Sequence, residues 1–157
     1  MVVTTSLFIF YLVYYNIVLK GGLIMFTLVI LFTLAIHYLY DFNQGPIANF
    51  KCKDWWKENY PDYKYKNDYK VACFIHALTW SIVVMIPSTI YLYIVGFITK
   101  DNNNYLAIFS LILINTCVHD TIDDSKANKK SISLCIDQLL HFFQILYTLI
   151  TVYAISI

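Results

Sequence analysis

Three stretches of the chain repeat one chemical pattern. His37-Tyr-Leu-Tyr-Asp41-Phe-Asn-Gln44 and His119-Asp-Thr-Ile-Asp123-Asp-Ser-Lys126 each place a carboxylate four residues after a histidine and a further polar group three residues later. Asp137-Gln-Leu-Leu-His141-Phe-Phe-Gln144 carries the same pair in reverse order. Residues at i, i+4 and i+7 share a helix face, so on helices each stretch aims its histidine, its carboxylate and its third polar group the same way. His76 is the remaining histidine of the four. Neutral imidazoles with carboxylates are a ligand set for zinc, manganese or iron. The candidate metal ligands are therefore His37, Asp41, His76, His119, Asp123, Asp137 and His141. They exceed what one tetrahedral ion uses. Either a dinuclear centre is expected, or one ion with the remaining groups supporting its ligands or acting as general base. Asp41, Asp123 and Asp137 are the candidate catalytic carboxylates, and Lys126 is a candidate anion-binding group. Gln44, at the end of the first pattern, and Asn115, one turn before His119, are candidate flanking polar groups. Cys52, Cys73, Cys117 and Cys135 form no CxxC pair, so they read as small apolar filler rather than a thiolate site.

The elements that must position these residues are unusually apolar. Of the 157 residues, 59% are apolar and 13% charged, against about 45–50% and about 25% in soluble domains. The formal net charge of +1 excludes a generic basic nucleic-acid binder and an acidic disordered tail. Long windows almost free of charge predict transmembrane helices over residues 2–19, 23–42, 70–98, 103–124 and 131–156, each near the ~17–25 residues a spanning helix needs. The expected fold is all-α: a polytopic membrane helical bundle of about five transmembrane helices, one membrane domain over 1–157, with a cytoplasmic loop over 43–69. Pro87 should kink or break the third helix. The runs are continuous rather than alternating, which argues against a β-barrel. Residues 2–19 lack a basic n-region and a small-residue cleavage site, so they read as a helix rather than a signal peptide; Met25 is an alternative start.

Lysine placement sets the orientation. Lys51, Lys53, Lys57, Lys64, Lys66 and Lys70 lie between the second and third helices, and Lys126, Lys129 and Lys130 between the fourth and fifth. The other two connections hold only Lys20 and Lys100. The positive-inside rule puts the rich loops and the N-terminus in the cytoplasm of a cell whose inner membrane holds the chain. The reversed order in Asp137–His141 then acquires a meaning. Helices two and four run toward the cytoplasm and helix five runs away from it. All three therefore set a histidine in one layer and a carboxylate about 5.4 Å nearer the cytoplasm. A lone histidine at a helix end is usually an interfacial or satisfied polar group. Ionisable groups set in matched layers inside membrane helices usually face the bundle interior and mark function. Asp68, Asp120 and Asp124 fall outside the layers and read as solvated.

Between Ile47 and Tyr69 the lysines alternate with Phe50, Trp55, Trp56, Tyr60, Tyr63, Tyr65 and Tyr69. Trp and Tyr favour the headgroup zone and lysines favour anionic lipid. The stretch reads as an interfacial anchor, or as a lid that recruits an anionic headgroup. Asp54, Glu58, Asp62 and Asp68 balance the lysines and argue against nucleic acid.

These motifs resemble the small bacterial and phage integral membrane proteins of domain-of-unknown-function family 3307. Its members carry an H-x-x-x-D-F-x-x-Q-like element, a histidine at the start of the next helix, a later H-x-x-x-D-x-x-K and a final D-Q-x-x-H. The matching positions are His37, Asp41, Phe42 and Gln44; His76; His119, Asp123 and Lys126; and Asp137, Gln138 and His141. The resemblance spans roughly residues 25–150 and adds Gln138 to the candidate polar groups. Tyr40 departs from the small residue found there, the stretch from Gln44 to His76 is long, and residues 1–24 lie outside the pattern. The family name supplies no reaction. Three functions remain open: a metal-dependent membrane hydrolase of a phosphoester or lipid-linked substrate, a metal-ion or proton transporter, and a metal-stapled structural or interaction protein of phage origin.

Overall fold

The computed structural model describes residues 22–41, 47–96, 98 and 105–156, and their regular structure is entirely helical. Helix α1 spans Gly22–Asp41. Two short helices follow, α2 (Ile47–Phe50) and α3 (Lys53–Asn59), then a single 3-10 turn, Tyr63–Tyr65. The long helices α4 (Asp68–Ile94), α5 (Tyr105–Ala127) and α6 (Leu134–Ser156) complete the described chain. Among the described residues, α1, α4, α5 and α6 are long and apolar enough to cross a membrane. They correspond to the last four predicted helices, with ends shifted by a few residues. The first predicted helix, residues 2–19, lies outside the described residues. The segment expected as a loop over 43–69 carries α2, α3 and the 3-10 turn.

The bundle is apolar outside and polar inside. Leu106, Leu23 and Tyr93 are 72%, 69% and 69% exposed, whereas His119, Asp137 and His141 are 0% exposed. A soluble protein could not leave so much large apolar surface in water, and a bilayer requires this inversion. The chain is a multi-pass membrane protein. Each helix repeats its inward residues at helical spacing: Val29, Thr33 and His37 on α1; His76, Trp80, Val84 and Ser88 on α4; Leu111, Asn115, His119 and Asp123 on α5; and Asp137, His141, Gln144, Thr148 and Val152 on α6. Helix α4 packs along α5, and α5 along α6. Trp80, Val84, Met85, Leu92, Ile145 and Val152 form the close-packed interior below the polar layer. Helix α4 runs unbroken through Pro87. Inside a bundle, neighbouring helices and local hydroxyls can make up for the amide that proline removes. At its far end Gly96 takes a left-handed conformation with φ 79°, which a residue with a Cβ adopts only at a cost, and its amide donates to the Tyr93 carbonyl.

The C-terminal ends of α1 and α5 and the N-terminal ends of α4 and α6 meet at one end of the bundle. Both lysine-rich connections close over that end and touch. Lys130, at the positive-φ position of the α5–α6 turn, reaches Asp54 on α3 at 2.6 Å. That ammonium holds the Asp54 carboxyl below its ordinary pKa. With this asymmetry, a reporter fused within 59–66 should read cytoplasmic and one fused after Ile157 should read external. Two reporters on the same side would overturn that orientation.

Candidate metal centre

The helix ends bring most of the sequence-derived residues into one buried cluster. Asp41 of α1, His76 of α4, and His119 and Asp123 of α5 each offer a ligand atom, all within 4.8 Å of one another. Asp41, Asp137 and His141 form a second such group, so Asp41 belongs to both. In the first group, His76 Nε2 lies 3.1 Å from Asp123 Oδ2, His119 Nε2 lies 3.2 Å from His76 Nε2, and His119 Nε2 lies 3.6 Å from Asp123 Oδ2. In the second, His141 Nε2 lies 3.5 Å from Asp137 Oδ1 and 3.5 Å from Asp123 Oδ1. Donors held at about 2.0–2.2 Å around a tetrahedral ion are about 3.3–3.6 Å apart. The separations here run from 3.1 Å to 3.9 Å, the longest between His76 Nε2 and Asp41 Oδ1, and so bracket that spacing; Asp123 Oδ1 links the two groups.

The donor atoms also fit a cation chemically. His141 Nδ1 and Nε2, His119 Nδ1 and Asp137 Oδ1 are buried without a hydrogen-bond partner. Unsatisfied buried polar atoms are costly and rare. Here four of them lie on residues of one cluster.

His37 is placed differently. It is 8% exposed and its ring lies 5.6 Å from that of His141, but its Nδ1 accepts a hydrogen bond from the Trp80 indole N–H at 3.1 Å. A neutral His37 then carries its proton on Nε2. It belongs to neither ligand group and sits beside them. Gln138 donates to Asp41 Oδ2 at 3.1 Å and to Asp137 Oδ2 at 3.0 Å, tying the two carboxylates together. Asn115 lies below the histidines, accepting from Gln144 at 3.0 Å and from Thr148 at 3.0 Å through its Oδ1. Gln44 falls outside the described residues. Lys126 reaches Asp137 Oδ2 at 2.7 Å from the rim.

Three residues of the site have no place in the repeated pattern. The Lys51 ammonium lies 2.6 Å from Asp123 Oδ2 and 3.3 Å from His76 Nε2. Burial opposes its charge, but the Asp123 carboxylate prevails and raises its pKa above the ordinary lysine value. No periodicity marks it, because it arrives from a connection. Asn128 anchors that connection by donating to the Lys51 carbonyl and accepting from the Lys53 amide at 2.6 Å. Trp80 stacks on His119 with ring centres 4.1 Å apart. Its signal was legible as an aromatic one turn along the His76 face.

Outside the cluster, Lys53, Lys57 and Lys66 with Trp56, Tyr60 and Tyr65 line a recess of about 300 Å³ on the same end of the molecule. The comparisons with known proteins add nothing to this geometry: no family model, curated protein or solved structure matches the chain. Fold and cluster define an all-helical, multi-pass membrane protein with a buried His/Asp cluster at its lysine-bearing end.

Proposed function

We propose that this protein is a membrane metalloprotein whose centre holds divalent ions, zinc, manganese or iron, and hydrolyses a phosphoester or lipid-linked substrate reached from the cytoplasmic leaflet of the cell membrane. The observation that carries the reading is the convergence of buried His and Asp ligand atoms, of which His141 Nε2 and Asp137 Oδ1 lie 3.5 Å apart and have no hydrogen-bond partner. His76, His119 and Asp123 would hold one ion, Asp137 and His141 a second, and Asp41 would serve both. Such ions supply a water activated near neutral pH and charge stabilisation for a displacement at phosphorus. The protein's own part is to orient and exclude. Gln138 holds Asp41 and Asp137 in register, and Lys126 at the rim would bind an anionic group of the substrate. The lysine–aromatic recess suits an anionic headgroup at the interface. The resemblance to family 3307 is compatible with the site and gives no reaction.

A second reading, ion transport, is favoured by the polar layer of Asn115, Gln144 and Thr148 beneath the histidines and by the buried, unpartnered Thr33 and Ser88 hydroxyls. Elemental analysis of detergent-purified protein tests both readings, followed by phosphoester hydrolysis and by metal flux in liposomes. Stoichiometric metal with hydrolysis supports the enzyme, and metal-dependent flux without hydrolysis replaces it with a transporter. Bound metal with neither leaves a structural or interaction protein. Protein that takes up no metal overturns the centre.

A further inference from the structure

We propose that Lys51 is a tethered cation that fills the centre until a divalent ion displaces it, so that ion binding and release of the 47–59 segment are one event. The inference rests on the reading of the cluster as a metal centre.

The geometry sets the two cations in competition for the same donors. Asp123 Oδ2 and His76 Nε2 are 3.1 Å apart, and Lys51 Nζ lies 2.6 Å from the first and 3.3 Å from the second. An ion bound to both donors at about 2.1 Å lies on a circle between them, and every point of that circle is within about 4 Å of the ammonium. In a site screened from water, like charges that close repel strongly. The same Asp123 oxygen must also serve both. Lys126 differs. Its side chain is 36% exposed and can turn to solvent on a fixed helix, whereas that of Lys51 is 15% exposed and comes from a connection. Its withdrawal therefore draws on the backbone around it.

That backbone is lightly held. Helix α3 buries no residue. Its polar ties to the bundle include the Asn128 bonds to Lys51 and Lys53 and the exposed Lys130–Asp54 pair. Segments with few buried contacts open at low cost. The segment also carries a continuous aromatic cluster, with Phe50 and Trp55 ring centres 4.7 Å apart and the Trp56 indole donating to the Phe50 carbonyl. Its departure would expose the polar layer to the interface where an amphiphilic substrate lies.

The test uses the full chain in detergent: wild type, Lys51→Met and Asn128→Ala. Zinc is titrated against a competing chelator, and amide hydrogen exchange is followed over residues 49–59. Lys51→Met should bind zinc about tenfold tighter or more. Asn128→Ala, which keeps the ammonium and loosens its anchor, should gain less. In wild type, saturating zinc should speed exchange over 49–59 by about tenfold or more. In Lys51→Met that exchange should be fast without zinc and unchanged by it. If wild type binds zinc and Lys51→Met binds it no better, the displacement mechanism is wrong and the metal centre stands. If neither binds zinc, both readings fall. Should Lys51→Met not fold, the wild-type exchange decides alone, and protection over 49–59 that zinc leaves unchanged overturns the proposal.

Discussion

Asp123→Asn is expected to remove stoichiometric metal, with affinity falling by about 100-fold or more. Loss of a group that only supports a ligand typically costs about 10–100-fold, and Asp123 is argued to be a ligand. No other carboxylate in the cluster touches as much. Its two oxygens lie within 3.6 Å of His76, His119, His141 and Lys51. The substitution is nearly isosteric, so the side-chain volume is kept and the charge is lost. The protein should still fold. Removing one partner of a fully buried pair costs about 3–5 kcal/mol, but the 47–59 segment is lightly held and can carry the Lys51 ammonium out to solvent, so the loss here should be smaller. Asp120→Asn is the control. Asp120 follows His119 on α5, and neither ligand group includes it. Metal content after exhaustive dialysis, with thermal denaturation alongside, checks the pair. Equal metal loss from both variants would mean that the effect is one of general charge and not of ligation. A folded wild type that takes up no metal would turn the layers into a hydrogen-bond or proton-relay network.

The part of this fold legible in the sequence is the part written in long-range periodic signals. Charge-free windows locate α1, α4, α5 and α6 because a bilayer leaves no alternative to a helix for an apolar run of that length. The reversed pair Asp137–His141 was legible because antiparallel helices must invert the order of two residues to keep them in the same layers. His76, His119 and His141 do converge, with Asp41, Asp123 and Asp137 beside them. Helix ends were less legible. The first turn of α4 at Asp68 and the last of α5 at Ala127 lie at the rim, where hydropathy has already faded.

Two features escaped for physical reasons. His37 carries the same i, i+4 signature as His119, yet it stands outside the ligand groups because its Nδ1 is taken by Trp80. Spacing reports which face a residue occupies and says nothing of which ring nitrogen is free. In the sequence Lys51 is one of six lysines between the second and third predicted helices. Its insertion depends on Asn128, 77 residues away, holding the Lys51 carbonyl, and a contact of that kind leaves no pattern in either segment. Helices α2 and α3 are too short to show a period, but Pro46 can open a short helix, and α2 begins at the next residue, Ile47.

The second large effect is expected at Trp80. Trp80→Ala removes the largest fully buried side chain, which in a well-packed interior costs about 3–5 kcal/mol. The indole also holds two rings at once. Its face stacks on His119 at 4.1 Å, and its N–H donates to His37 Nδ1 at 3.1 Å. Without it His119 gains freedom at a position where ligation needs one ring orientation, so metal affinity should fall by about 10–100-fold. Trp80→Phe separates the two functions. The phenyl ring keeps an aromatic face against His119, while the His37 nitrogen loses its donor, at a cost of about 1–3 kcal/mol for a buried group left unpaired. Trp80→Phe should therefore retain most of the metal affinity and lose less stability than Trp80→Ala. Thermal denaturation and zinc titration on the same samples make the comparison. A Trp80→Phe variant as poor in zinc as Trp80→Ala would move the weight from the stacked ring to the hydrogen bond. The orientation of His37, rather than that of His119, would then set the affinity of the centre.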